Sequence, residues 1–170
     1  KVKTKVPAHI TLVNNVATSG MVMSAAILVG LSRKILDLAT AYTLDRKQFG
    51  KPIGSFQAVK HMLAQAAIEI EFSKATLYRA AYSLDNDNPL QKLHAAQAKL
   101  QAIDACEMAS RNSMQAHGAM GYTWEMDLHI FIRRGWSYKQ VWGNKSLLEN
   151  YIMNQLEKDL PKLGSTYTFL

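Results

Sequence analysis

Apolar residues recur at helical spacing along most of the chain. Met21, Ala25, Leu28, Leu31, Ile35, Leu38 and Tyr42 step by three and four residues, while Arg33, Lys34 and Asp37 fall off that stripe. The pattern predicts a long amphipathic helix ending near Asp45. The stretch Phe49-Gly50-Lys51-Pro52-Ile53-Gly54 then collects two glycines and a proline, which break a helix, and Ser55 is placed to cap the next one. That second helix carries Val59, Leu63, Ala66, Ile70, Leu77 and Leu84 on one face. At about 1.5 Å per residue each helix spans roughly 40 Å. A short polar connection between helices of that length leaves the second to pack back, antiparallel, on the first.

In Asp85-Asn86-Asp87-Asn88-Pro89 an Asn cap precedes a proline suited to the first helical position, which predicts the start of a third helix. Leu93, Ala96, Leu100, Ile103 and Cys106 form its apolar face, and it should end at Gly118 or Gly121. A fourth helix is expected from about Met126 to Val141. A fifth runs from about Lys145 to Lys158, with Ser146 and Glu149 as a capping box. No strand signal of comparable quality is present. The expected fold is all-α, an antiparallel four-helix-type bundle over residues 15–160. Residues 1–14 read as a linker or residual N-terminal segment and 161–170 as a tail.

Composition narrows the chemistry. Of 170 residues, 48% are apolar and 19% charged, which supports a sizeable core and argues against intrinsic disorder. The single cysteine, Cys106, excludes an intrachain disulfide framework and suits a reducing compartment. Twenty basic against 13 acidic residues leave a net charge of +7. The basic residues are scattered, as in Arg33-Lys34 and Arg133-Arg134, rather than gathered in one stripe, so solvated surface is preferred to a nucleic-acid site. The apolar run Gly20–Leu31 is shorter than the roughly 20 residues of a membrane span. With no apolar segment after the first lysines either, the expected location is cytoplasmic.

None of the five histidines lies in an HExxH pattern or beside a second histidine at helical spacing, so no metal site is expected. His117 stands apart because it sits in a glycine break. Two segments are harder to explain as packing. Arg46-Lys47-Gln48-Phe49-Gly50 with Phe56-Gln57 places a guanidinium, amides and aromatic rings at a helix end and the next helix start, where phosphate can be gripped. Gln115-Ala116-His117-Gly118-Ala119-Met120-Gly121-Tyr122 offers small residues that let a ligand approach the backbone.

These segments, with Ala41-Tyr42, Ala58-Val59-Lys60, Lys99 and Arg133, resemble in order and spacing the C-terminal helical domain of the acyl-CoA dehydrogenase flavoproteins. The resemblance runs from about Val16 to Leu156. It implies a dimer or dimer of dimers, homo- or heteromeric, with FAD lodged between subunits, an acyl-CoA substrate and an electron-transfer flavoprotein as acceptor. By position, Arg46, Gln48, Phe49, Phe56 and Gln57 match residues that reach the pyrophosphate and adenine end of a neighbour's FAD. Gln115, His117, Gly118 and Ala119 match the glycine-rich turn on its other side, with Ala119 in place of the usual second glycine. Full members are about twice as long, so the remaining domains are either cut off or carried on another chain.

The family's reaction needs a carboxylate base in an apolar pocket, where burial raises its pKa towards neutrality. Most members carry that Glu immediately before a glycine after the Arg-containing helix, which here is Trp142 in Val141-Trp142-Gly143-Asn144. Indole only donates a hydrogen bond and cannot take the proton. The alternative family position, on the first long helix, is Gly20. No catalytic residue is therefore assigned to this chain. The resemblance then implies a flavin-site subunit of a heteromeric enzyme whose Glu comes from a partner. A flavin monooxygenase on the same scaffold and a purely structural subunit are the alternatives.

Overall fold

A computed structural model describes residues 8–158, with side chains from residue 12. Five α-helices follow one another in it: α1 (Ala8–Asp45), α2 (Gln57–Asp85), α3 (Gln91–His117), α4 (Leu128–Tyr138) and α5 (Lys145–Lys158). Side-chain pairings give their directions. Lys92 reaches Asn14 at the N-terminal ends of α3 and α1, and His117 stacks on Tyr42 near their C-terminal ends, so these two helices run parallel. Ser83 pairs with His94 and Asn112 donates to the Met62 carbonyl, so α2 runs antiparallel to α3. The up-down-up arrangement is the expected bundle, with α3 in its middle.

The sequence of α3 suits that central place. Ala95, Ala96, Ala98, Ala102, Ala105 and Ala109 are all fully buried, and such small side chains let neighbouring helices approach closely on several faces. One apolar cluster joins Met21, Ala25 and Leu28 of α1 to Ala80, Ile103 and Leu148. A second joins Ile35 to Ala66, Ile70, Leu128 and Ile132, and so fixes α4 on the bundle. A Cβ at Gly135 would lie 2.7 Å from the Cys106 sulfur, so α4 can sit this close to α3 only with glycine there. Burial pushes the Cys106 thiol up, which keeps it protonated and unreactive.

Several expected boundaries shift. Helix α1 begins at Ala8, so residues 8–14, read above as linker, are helical; the tail 161–170 lies outside the described residues. Ser55 does not cap α2: its hydroxyl donates to the Pro52 carbonyl, and Phe56 holds the cap position with an extended backbone. Asn88 accepts from the Leu90 N–H, but α3 starts two residues after Pro89, at Gln91. Helix α5 is capped by Asn144, whose side chain accepts from the Leu147 N–H, and not by Ser146 with Glu149. Asn144 lies just outside the first turn, where free N–H groups point, while Ser146 is already inside the helix.

Helix α1 is also long and apolar enough to cross a membrane by length and composition, with an 18-residue window of mean hydropathy 1.6. The short run Gly20–Leu31 therefore underestimates it. Its use is decided by packing, because its stripe of Met21, Ala25, Leu28 and Ile35 is buried in the bundle core.

Candidate functional site

The break after α1 is a minimal hairpin that the sequence did not suggest. Strand β1 (Lys47–Gln48) pairs antiparallel with β2 (Lys51–Pro52), leaving Phe49-Gly50 as a two-residue loop. Both loop residues have positive φ, 52° at Phe49 and 79° at Gly50, as the mirror-image turn of tight hairpins requires. Gly50 adopts this freely. For a bulky residue such as Phe49 it costs about 1–2 kcal/mol. The strained ring is 91% exposed, with the Phe56 ring edge-on at 6.2 Å and Lys51 Nζ over Phe56 at 4.5 Å.

Arg46, Gln48 and Gln57 are exposed around this hairpin, and Phe56 is half-buried at its base. The Arg46 N–H continues α1 by donating to the Tyr42 carbonyl, and the Ile53 N–H returns to the Arg46 carbonyl. Tyr42 joins the hairpin to the second predicted segment. Its ring stacks on His117 with centroids 4.3 Å apart and planes 19° from parallel. The next residue, Gly118, ends α3 with φ 59°, and Gln115, Gly118 and Ala119 are exposed. The two segments therefore share one end of the bundle.

His117 differs from its companions. It is only 3% exposed; Nδ1 donates to the Ser113 carbonyl, one turn back, while Nε2 is buried and unpartnered. Its ring thus orients the turn from within, through Tyr42. Tyr42 itself was not singled out as a site residue from sequence, although it ends the apolar stripe of α1 and belongs to the Ala41-Tyr42 pair of the resemblance.

Gly20 and Trp142, where the resemblance places the family's base, touch each other at a different level of the bundle. A Cβ on Gly20 would lie 2.4–2.8 Å from three indole carbons of Trp142, so the indole rests directly on the α1 backbone. Trp142 has φ 61° and Gly143 φ 116°, which turns the chain sharply between α4 and α5. Lys99 steadies this turn. It is fully buried in α3, and its Nζ donates to the Tyr138 carbonyl at 2.5 Å, at the last residue of α4.

Burial pushes the Lys99 ammonium down to about 8 from its usual 10.5. Between these values the unfolded chain binds the proton and the folded chain does not, so stability should rise as pH goes from 8 towards 10.5. Replacing Lys99 with Met should remove that rise, which denaturant titrations of both proteins across this range would measure.

Two open clefts lie between α3 and α4. One, of about 410 Å³, is lined by residues that include Arg111, Tyr122, Trp136 and Lys139. Its neighbour, of about 280 Å³, includes Trp124, His129 and Arg133, with the Arg133 guanidinium over the Trp124 ring at 6.0 Å. Neither is lined by the hairpin. No cluster of three or more potential metal ligands occurs among the described residues.

This architecture is shared. The acyl-CoA dehydrogenase IpdE2 of Mycobacterium tuberculosis is 32% identical over 147 residues, covering 85% of this chain and 42% of that protein. A solved structure of the electron transferring flavoprotein of Acidaminococcus fermentans, concerned with flavin-based electron bifurcation, matches with a TM-score of 0.80. That match is 27% identical and covers 84% of this chain and 37% of the other. A steroid ACAD named Tcur3481-Tcur3483 matches with a TM-score of 0.77 and 26% identity, over 81% and 38% of the two chains. This chain thus spans about two fifths of the length of the relative IpdE2. Residues 10–158 match the family described as acyl-CoA dehydrogenase, C-terminal domain, and the chain belongs to that family of flavoprotein oxidoreductases as its helical C-terminal domain.

Proposed function

We propose that this chain is the FAD-site and oligomerisation domain of an enzyme that dehydrogenates an acyl-CoA thioester between its α- and β-carbons, with the catalytic Glu supplied by a partner subunit. One observation carries the reading. Gly20 and Arg46 are 26 residues apart on the single helix α1 and its end, which is about 39 Å at 1.5 Å per residue. An extended dinucleotide cannot bridge that span. The Arg46 cluster therefore serves a flavin whose reacting end lies at another chain's base position, and in this chain that position holds no carboxylate.

The residues present suit the pyrophosphate and adenine end of FAD. Arg46 offers a planar pair of donors to phosphate, Gln48, Gln57 and Gln115 add amides, and Phe49 presents a ring for stacking. At Gly118 an added Cβ would meet nothing within 4 Å, so open space lies before the turn. When bound, FAD supplies the hydride acceptor. An electron-transfer flavoprotein is the proposed onward acceptor, as the family resemblance implies.

The native mass and visible spectrum of the protein from its own cell test this reading. A yellow complex containing a second, Glu-bearing chain is expected, and a colourless homo-oligomer would overturn it. The strained hairpin offers a second check. Phe49→Asn puts an Asn-Gly pair in the mirror-image turn, so it should raise stability by about 0.5–1 kcal/mol while weakening flavin retention. A thermal melt and a flavin-release assay on one variant measure both; unchanged retention would remove Phe49 from the site.

A further inference from the structure

The contact between Trp142 and Gly20 asks for more explanation than a lost base. An indole laid on a bare helix backbone needs a glycine beneath it, since even alanine would place its Cβ 2.4 Å from the ring. Trp142 also holds a left-handed φ of 61°, unfavourable for any residue with a bulky side chain. Such strain persists only where the surroundings over-determine it. Here they do: Lys99 holds the end of α4, Asn144 caps α5, and a Cβ on Gly143 would sit 3.2 Å from Leu148, so the turn is closely packed on its inner side.

The indole does not disappear into the core. Trp142 is 48% exposed, and the neighbouring surface of α1 carries the exposed apolar residues Val16, Met23 and Ile27 within two turns of Gly20. Without the ring, the Gly20 backbone would lose the indole that covers it, on an α1 face that carries these apolar side chains. A carboxylate side chain at position 142 would cover far less of that surface than the indole does with its rigid aromatic area.

We infer that Trp142, seated on Gly20, is a plug that closes this chain's own acyl-thioester site, so that an assembly takes up one acyl-CoA for each pair of this chain and its base-bearing partner. The inference rests on the proposed function. Gly20 acts as a positioning residue, and the pair excludes substrate where a missing base alone would still let it bind without reacting.

The test counts binding sites in the flavin-loaded assembly by calorimetric titration with crotonyl-CoA, an enoyl thioester that needs no further dehydrogenation at its α- and β-carbons. One site per pair is expected for the unaltered protein and for Trp142→Phe, and two for Trp142→Ala. Two sites in the unaltered protein, or one in Trp142→Ala, would overturn the plug and leave the proposed function standing. An assembly with neither flavin nor thioester binding would overturn both. Gly20→Ala gives a readout independent of assembly. In a chain where Trp124 and Trp136 are replaced by Phe, it should expel the indole and shift the Trp142 emission to the red. An unshifted spectrum would overturn the contact on which the plug depends.

Discussion

Replacing the catalytic glutamate of the proposed base-bearing partner with glutamine should slow flavin bleaching by acyl-CoA on the order of 10²- to 10⁴-fold, the usual cost of a lost general base. The substitution leaves this chain untouched, so any base it contributed would keep the reaction going. None is expected. The indole of Trp142 carries only an N–H donor, and Gly20 has no side chain. Glu149, the next acidic residue after Trp142, is exposed in α5, a full turn beyond the Asn144 cap. Such a carboxylate stands in solvent, not in the apolar pocket that the reaction's base needs. Stopped-flow bleaching in the complete complex, with the partner altered and this chain unaltered, measures the effect. Bleaching at the full rate would show that this chain supplies a proton acceptor after all.

Arg46→Ala should weaken FAD retention in the complete assembly by roughly 1.5–3 kcal/mol, the range for hydrogen bonds to a charged group. The loss should fall on retention and not on folding. Arg46 is exposed past the end of α1, and its backbone bonds to Tyr42 and Ile53 survive the substitution. Arg46→Lys should recover only part, because an ammonium keeps the charge but not the planar two-donor geometry. Equilibrium dialysis of FAD against the three proteins would rank them. Equal retention would remove Arg46 from the site, and equal losses in Lys and Ala would show that geometry, not charge, carries the grip.

The amino-acid sequence by itself determined the helices and their buried faces. The stripe from Met21 to Tyr42 and the α3 face through Leu93, Ala96, Ile103 and Cys106 follow from a 3.6-residue period, which a burial pattern imposes locally and which can therefore be read locally. The order of the Arg46 and Gln115 segments was legible for the same reason, since a motif is a run of neighbours in the chain. Helix ends were less so. Ser55, Ser146 and Asn88 each carry a cap signal, yet Phe56, Asn144 and Leu90 occupy the cap positions, because a cap is chosen by the direction in which the chain enters the helix. The hairpin at Lys47–Pro52 escaped notice because its two-residue strands are too short to show alternation.

Only the tertiary structure decided what depends on approach between distant segments. The stacking of Tyr42 on His117 joins residues 75 positions apart and buries the imidazole beneath the turn in which Gln115, Gly118 and Ala119 are exposed. Glycine at 20 and tryptophan at 142 look from the sequence like two separate losses of a base. Brought together, they are one contact, and the missing Cβ of the first is the space that the ring of the second fills. Such complementarity is a property of surfaces that meet across 122 residues of chain, and no local periodicity encodes it.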